Sequence, residues 1–303
     1  MTTDDILSAL FSPVRNYQRD AMQAAADKWA DVSPLLIARV LAQAAVLRDD
    51  PDGSDDSMGL IYSLTLFGHL RDETAWPAIV ALCTLPSAVA DDELGALATE
   101  DLGQILYRCC GPKVDELRAL YANRAVDQWV RGGAYRALTY AVAKGRFPRD
   151  ELLGCLVATL SAEPDPDWDE ESLVDEARYD FLNMRPVEHA ELARAWADDD
   201  VLFPDEVGED LEVLLTESPE HWAELVQGWR EELAGYEPED LHARLQGWAA
   251  FEENHGHAGA RAVSAGGGRV GAGKRITVAQ AAKRNKKNKI AKKSRQGNRK
   301  KKK

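Results

Sequence analysis

No acidic residue follows Glu253 in this chain of 303 residues. All 51 Asp and Glu therefore lie within residues 1–260, together with 20 of the 37 Lys and Arg, which gives that segment a net charge of −31. Residues 261–303 hold the other 17 basic residues, so their net charge is +17. So strong a division of charge is typical of an acidic folded body that carries a basic interaction tail.

Three further absences limit the class of protein. The chain has no run of about 18 apolar residues, so we expect no transmembrane helix and no membrane partner. The N-terminal stretch "MTTDDILSAL" is acidic, so we expect no signal peptide. The four cysteines form no C-x-x-C pair, and we therefore expect reduced thiols and a cytoplasmic location rather than a disulfide framework.

The body has no segment with the strict alternation of a half-buried strand, and its apolar residues recur at helical spacing instead. In "DLGQILYRCC", apolar residues stand at i, i+3, i+4, i+7 and i+8 from Leu102, which is one helical face. Between Ser57 and Leu70, "SMGLIYSLTLFGHL" is apolar on most sides, as in a helix buried among others. Prolines at short intervals separate such segments, so we predict an antiparallel array of helices.

One segment resembles a known helical repeat. "VRGGAYRALTYAVAKG", from Val130 to Gly145, has the V-R-x-x-A-x-x-A-L pattern of the second helix of a HEAT-type repeat. With "SLTLFGHLRDETAWPAIVALCTLP" and "LATEDLGQILYRCCGPKVDELRALYAN", it resembles the bacterial domain-of-unknown-function 1186 family over about Ile6 to Glu232. The resemblance implies an all-α fold of HEAT-like stacked helical hairpins, and it implies no activity. The Cys-rich metal-binding tail of some members is absent, because no cysteine follows Cys155.

We expect three regions along the chain. Residues 1–253 form the acidic helical body, residues 254–275 a Gly-rich linker, and residues 276–303 a Lys/Arg-rich tail that is disordered or conditionally helical. Within the linker, Gly268, Gly273 and Lys274 have the spacing of a phosphate-binding loop. No apolar strand precedes them and Arg275 replaces the magnesium-binding hydroxyl, so we interpret the stretch as a linker.

Two patterns resemble metal-binding sites, but each lacks a feature that metal binding requires. Asp165, Asp167, Asp169 and Glu176 occupy positions 1, 3, 5 and 12 of an EF-hand loop, but Glu170 replaces the glycine that the sharp turn needs. The second pattern is a histidine pair in a Gly-rich stretch, which lacks the fixed ligand shell of a functional metal site. Its residues are His255 and His257. We predict no metal site, no cofactor and no catalytic constellation.

The basic tail is the most informative feature. It contains no aromatic residue, so base stacking is not available, and contact with a phosphate backbone is the remaining mode of nucleic-acid binding. The candidate polyanion-binding residues are Lys274, Arg275, Lys283, Arg284, Lys286, Lys287, Lys289, Lys292, Lys293, Arg295, Arg299 and Lys300.

These patterns favour a non-enzymatic scaffold, in which the body binds a protein partner and the tail contacts RNA, the ribosome or DNA without sequence specificity. One alternative is an enzyme or cofactor-handling protein that uses the concave face of the helical array, which would need convergent polar groups and perturbed carboxylates. Another is a tail that only solubilises the protein or folds back on the body and regulates access to it.

Overall fold

The computed structural model describes most of the body, and over its described residues the chain is helical with no strand. The predicted all-α class is therefore confirmed. The His255/His257 pair, the linker, the tail and every candidate polyanion-binding residue lie outside the described part. The described residues are 1–13, 16–51, 53, 58–162, 173–199, 201–202, 210–236, 241–242 and 245.

Fifteen α-helices are described, with short 3-10 turns at Glu73–Ala75 and Val187–His189. The helices are α1 Thr3–Leu10, α2 Arg19–Asp27, α3 Trp29–Asp49, α4 Gly59–Leu70, α5 Trp76–Cys83, α6 Ser87–Leu94, α7 Ala96–Glu100, α8 Leu102–Cys109, α9 Val114–Ala122, α10 Gln128–Ala143, α11 Arg149–Ala162, α12 Leu173–Asn183, α13 Ala190–Asp198, α14 Leu211–Leu214 and α15 Pro219–Gly235.

The helices stack in two layers, as in HEAT-like arrays. In one layer α4, α8, α10 and α12 follow one another, and each contacts the next. In the other layer α3 contacts α5 and α9 contacts α11. The layers are joined where α9 packs on α10 and α11 packs on α12, so consecutive helices form the hairpins that the sequence predicts.

The predicted apolar faces are the buried ones. Every residue from Gly59 to Gly68 of α4 is buried, which fits a helix surrounded by others. In α8 the face that begins at Leu102 is buried as far as Cys109, and Cys110 directly after it is fully buried. The α15 helix begins directly after Ser218, whose hydroxyl caps it by accepting a hydrogen bond from the His221 amide.

Helix α3 departs from the expectation that no segment is long and apolar enough to span a membrane. Its 21 residues include an 18-residue window with a mean hydropathy of 1.5, which is long and apolar enough to cross a membrane. The sequence indicated no such run because Asp31, Arg39 and Arg48 interrupt it. One face of this helix, which includes the fully buried Leu36 and Val40, packs against the rest of the body. Leu35, Leu41 and Val46 are exposed, and 39% of the window is buried.

The chain returns across the layers after α14. Helix α15 packs on α10, where Arg230 Nε donates a hydrogen bond to the Ala143 carbonyl at 2.8 Å. At its end the Arg108 guanidinium lies 5.5 Å from the centroid of the Tyr236 ring. Further on, the buried His242 places Nδ1 2.6 Å from the Tyr17 hydroxyl. The last described part of the chain is therefore fixed on the first helices.

Candidate binding cleft

A cleft of about 880 Å³ opens between α7, α8, α10, α12 and α15 in the described part of the body. A volume of this size is typical of ligand-binding pockets, which span about 300–1,000 Å³. Its lining is rich in acidic residues and includes one tryptophan. The charged residues of the lining are Glu100, Asp101, Asp175, Glu176, Glu232 and Arg136. With five carboxylates and one guanidinium, we call this opening the acidic cleft.

Three glycines of α8 and α10 line the acidic cleft, and two of them lie where these helices approach each other closely. A Cβ at Gly103 would come within 2.8 Å of the Arg136 side chain, and one at Gly133 within 3.1 Å of the Leu102 side chain. These positions let α8 and α10 cross closely. A Cβ at Gly132 would have only a carboxylate oxygen of Glu176 nearby, at 3.5 Å, so this glycine leaves open space.

Arg136 of α10 lies at the centre of the charged groups. Its Nη2 is 2.9 Å from Glu176 Oε1 on α12, and its Nη1 is 3.4 Å from Glu232 Oε2 on α15. The two glutamates thus hold the single guanidinium of the lining from both sides. Asp180 also interacts electrostatically with Arg136, from one turn after Glu176 on the same face of α12.

The pKa values of two carboxyl groups at the cleft are raised. The pKa of Glu176 rises from 4.5 to about 7, chiefly because of burial and also because of the neighbouring charges of Asp180 and Glu232, whereas Arg136 opposes the rise. Burial also raises the pKa of Asp180, again against the effect of Arg136. Arg136 pairs with two of the five lining carboxylates and Arg178 with Asp175, so the acidic groups outnumber the guanidinium groups and would stabilise a cationic ligand.

The pKa of Glu176 predicts a pH dependence of stability. Between about pH 4.5 and 7 the folded protein binds more protons than the unfolded chain, so the free energy of unfolding falls as pH rises through this window and then levels off. Because 35% of the Glu176 side chain is exposed, we expect a change of only about 1 kcal/mol. Urea unfolding at several pH values should show this extra loss in the wild type and not in Glu176→Gln. Parallel pH curves for the two proteins would contradict the prediction.

Two uncharged side chains complete the acidic cleft. Gln104 is only 6% exposed and lines the cleft, so its side-chain amide can form a hydrogen bond with a ligand there. Trp129 stands in the same wall, and an indole is the best aromatic partner for a cation.

Sequence reasoning noted Glu176 only as the twelfth residue of an EF-hand pattern that it rejected, and it missed the residues around it. In the structure its carboxylate contacts Arg136. The three aspartates of that pattern lie outside the described residues, and the described residues contain no group of side chains that could hold a metal ion. The only local signal for the cleft was the glycine pair in "VRGGAYR".

The adjacent cysteines of α8 are part of the core. Both thiols are buried, and burial raises their pKa values above the usual range, so neither is an activated thiolate. The interpretation of Cys109 and Cys110 as packing residues agrees with this position.

The fold and the cleft together define a HEAT-like helical protein with an acidic, ligand-sized opening. The chain belongs to the family described as Protein of unknown function (DUF1186), whose model matches residues 1–219. This confirms the resemblance, although α15 lies almost entirely beyond the matched range. The family supplies no activity or catalytic residues to this chain. Neither a curated protein nor a solved structure matches it significantly.

Proposed function

We propose that this protein is a non-enzymatic interaction scaffold, in which the acidic cleft receives a Lys- or Arg-bearing segment of a protein partner. The basic tail contacts a polyanion such as RNA, the ribosome or DNA without sequence specificity. The observation that carries the proposal is the cleft itself, whose lining contains five acidic residues and only one basic residue, Arg136. The four free thiols fit a reducing, cytoplasmic environment.

The chemistry of the cleft matches a cationic side chain better than a neutral ligand. A Lys or Arg head group would offset the surplus negative charge around Glu176 and Glu232. The side-chain amide of Gln104 would accept a hydrogen bond from the same head group, and Trp129 would contact its apolar stem or its charge. The volume admits one or two such side chains with part of their backbone.

The test is peptide binding to the full chain in which six tail lysines are changed to glutamine, so that the tail does not compete. This variant is called the tail-neutralised chain. A fluorescent hexapeptide of alternating Lys and Arg is titrated by anisotropy at about 100 mM salt. The six changed residues are Lys283, Lys286, Lys287, Lys289, Lys292 and Lys293.

In this background, Glu100→Gln combined with Glu232→Gln should weaken peptide binding about tenfold, since it removes two charges from the cleft. The matched control is Asp49→Asn with Glu217→Gln, which removes two charges from exposed residues outside the cleft lining. We expect less than about a twofold change for that control. Equal weakening by both pairs would show that the peptide responds only to net charge.

A second candidate function is an enzyme that uses Glu176 as a general acid or base. The observation in its favour is the pKa of about 7, which is close to that of an effective acid–base group at neutral pH. Among the described residues that line the cleft, however, none is Ser, Cys or His. Turnover by such an enzyme would follow the ionisation of Glu176 and would be lost in Glu176→Gln, whereas a scaffold has no turnover to lose.

A further inference from the structure

We propose that residues 274–295 of this same chain dock in the acidic cleft when no polyanion holds them. The inference rests on the proposed function, because it gives the same cleft an occupant in the free protein. Cleft and polyanion would then compete for one basic segment. Binding of the tail to a polyanion would free the cleft for a protein partner.

The cleft has features of a ligand-binding site in addition to its acidic residues. It is a cavity between five helices, and its wall contains the Gln104 amide and the Trp129 indole beside the acidic groups. Arg136 pairs with Glu176 and Glu232 and Arg178 pairs with Asp175, so the acidic groups at the cleft outnumber the guanidinium groups. An additional cation with N–H donors would bind the Gln104 amide and offset part of this excess of acidic charge.

The tail supplies that chemistry in abundance. Residues 274–295 contain ten Lys and Arg and no acidic residue. They belong to the same molecule as a segment of charge −31, so attraction to the body acts at all protein concentrations. Among the acidic groups of the body, those of the cleft offer a concave, partly desolvated surface, where a charge interaction is stronger than on an exposed helix.

The geometry of the chain allows this contact. The body is held at its C-terminal side by the buried Leu245, and 29 positions separate this residue from Lys274. A random coil of that many Gly-rich residues has a root-mean-square span of about 30 Å. The radius of gyration of a compact domain of this size is about 18 Å, so the tail can reach the cleft from any exit point. The tethered tail would have an effective concentration on the order of 1 mM.

Peptide competition tests the docking. The Lys–Arg hexapeptide should bind the tail-neutralised chain about tenfold more tightly than it binds the wild type, if the tail alone has a Kd of about 0.1 mM for the cleft. Equal affinities for the two proteins would overturn tail docking while leaving the proposed function intact. Failure of the peptide to bind the tail-neutralised chain at all would instead refute the proposed function.

A second measurement locates the contact directly in the full chain. Zero-length carbodiimide coupling joins lysine amines to carboxylates that touch them, and the monomer fraction is mapped by mass spectrometry. We expect links from the tail lysines to Glu100 and Glu232, and their loss at about 1 M salt, where screening acts beyond about 3 Å. Links spread evenly to exposed residues such as Asp49 and Glu217 would overturn the proposal.

One variant fills the site without removing an acid. A side chain at Gly132 has space beside Glu176, so Gly132→Lys would place a fixed ammonium in the cleft and displace the tail. The control is Gly154→Lys, which adds the same charge to a helical glycine with open space around it and outside the cleft lining. Cross-links from the tail lysines to Glu100 and Glu232 should disappear in Gly132→Lys and remain in Gly154→Lys. Links that persist in Gly132→Lys would contradict docking at this site.

Discussion

Arg136→Met is expected to lower the free energy of unfolding by about 2–3 kcal/mol. The change keeps an unbranched apolar stem but removes the guanidinium that holds Glu176 and Glu232. Removal of one partner of a fully buried pair costs about 3–5 kcal/mol, because the other charge remains without compensation. We expect less here, since 33% of the Arg136 side chain is exposed and water can screen the remaining carboxylates.

The stability lost in Arg136→Met should be larger at high pH than at low pH. At about pH 5 the raised pKa of Glu176 lets this residue take up a proton, which reduces repulsion from Asp180 and Glu232. Arg136→Met should therefore destabilise the protein more at about pH 8 than at pH 5, as measured by urea unfolding. A loss below about 0.5 kcal/mol at both pH values would mean that Arg136 is an ordinary surface cation.

The matched control also removes the two carboxylates that Arg136 holds. In Arg136→Met with Glu176→Gln and Glu232→Gln, Asp180 is the only carboxylate left of the three that interact with Arg136. Most of the lost stability should return, because amides repel neither each other nor the remaining carboxylate. If the triple variant is as unstable as Arg136→Met, the defect comes from lost packing of the arginine stem rather than from charge.

Much of the helical body could be predicted from the sequence, because burial follows local periodicity. The face of α8 and the all-round burial of α4 depend on residues three or four positions apart, and such spacing is visible in a single sequence. The Ser218 cap is equally local, since a hydroxyl before proline directly precedes its helix. These elements can be predicted without knowing which helices contact one another.

The acidic cleft could not be predicted in this way. Arg136 and Glu176 are 40 positions apart, and Glu232 is 96 positions from Arg136, so their contact exists only after α10, α12 and α15 have packed. In a body of charge −31 no single glutamate is distinctive. Glu176 drew attention for its place in a calcium-binding pattern, whereas its significance comes from desolvation beside a shared arginine.

The C-terminal side of the cleft lies outside the matched family range. Glu232 and Gly235 are on α15, after residue 219, and this helix is held to the body by Arg230 and by the Tyr236 ring. The part of the chain that completes the acidic cleft is therefore also the part that leads to the basic tail.

Binding of a polyanion to the full chain should fall by about 10³–10⁵ between 50 and 200 mM salt, if about 6–10 tail charges contact duplex phosphates. Each such contact releases a counterion, so the slope of log K against log salt is about −0.9 per contact. Fluorescence anisotropy with duplex DNA of two unrelated sequences would measure it. The tail-neutralised chain should have a shallower slope and lower affinity on both sequences. An unchanged slope would show that these lysines make no phosphate contact.

Docking of the tail would alter this slope in a way that separates the two proposals. Salt weakens the attraction of the tail to the acidic cleft as well as to phosphate, so part of the salt dependence cancels in the wild type. Gly132→Lys removes the competing attraction, and its slope should therefore be steeper and its affinity at low salt higher than those of Gly154→Lys. Identical slopes for these two variants, both steep, would mean that the tail binds polyanions and never occupies the cleft.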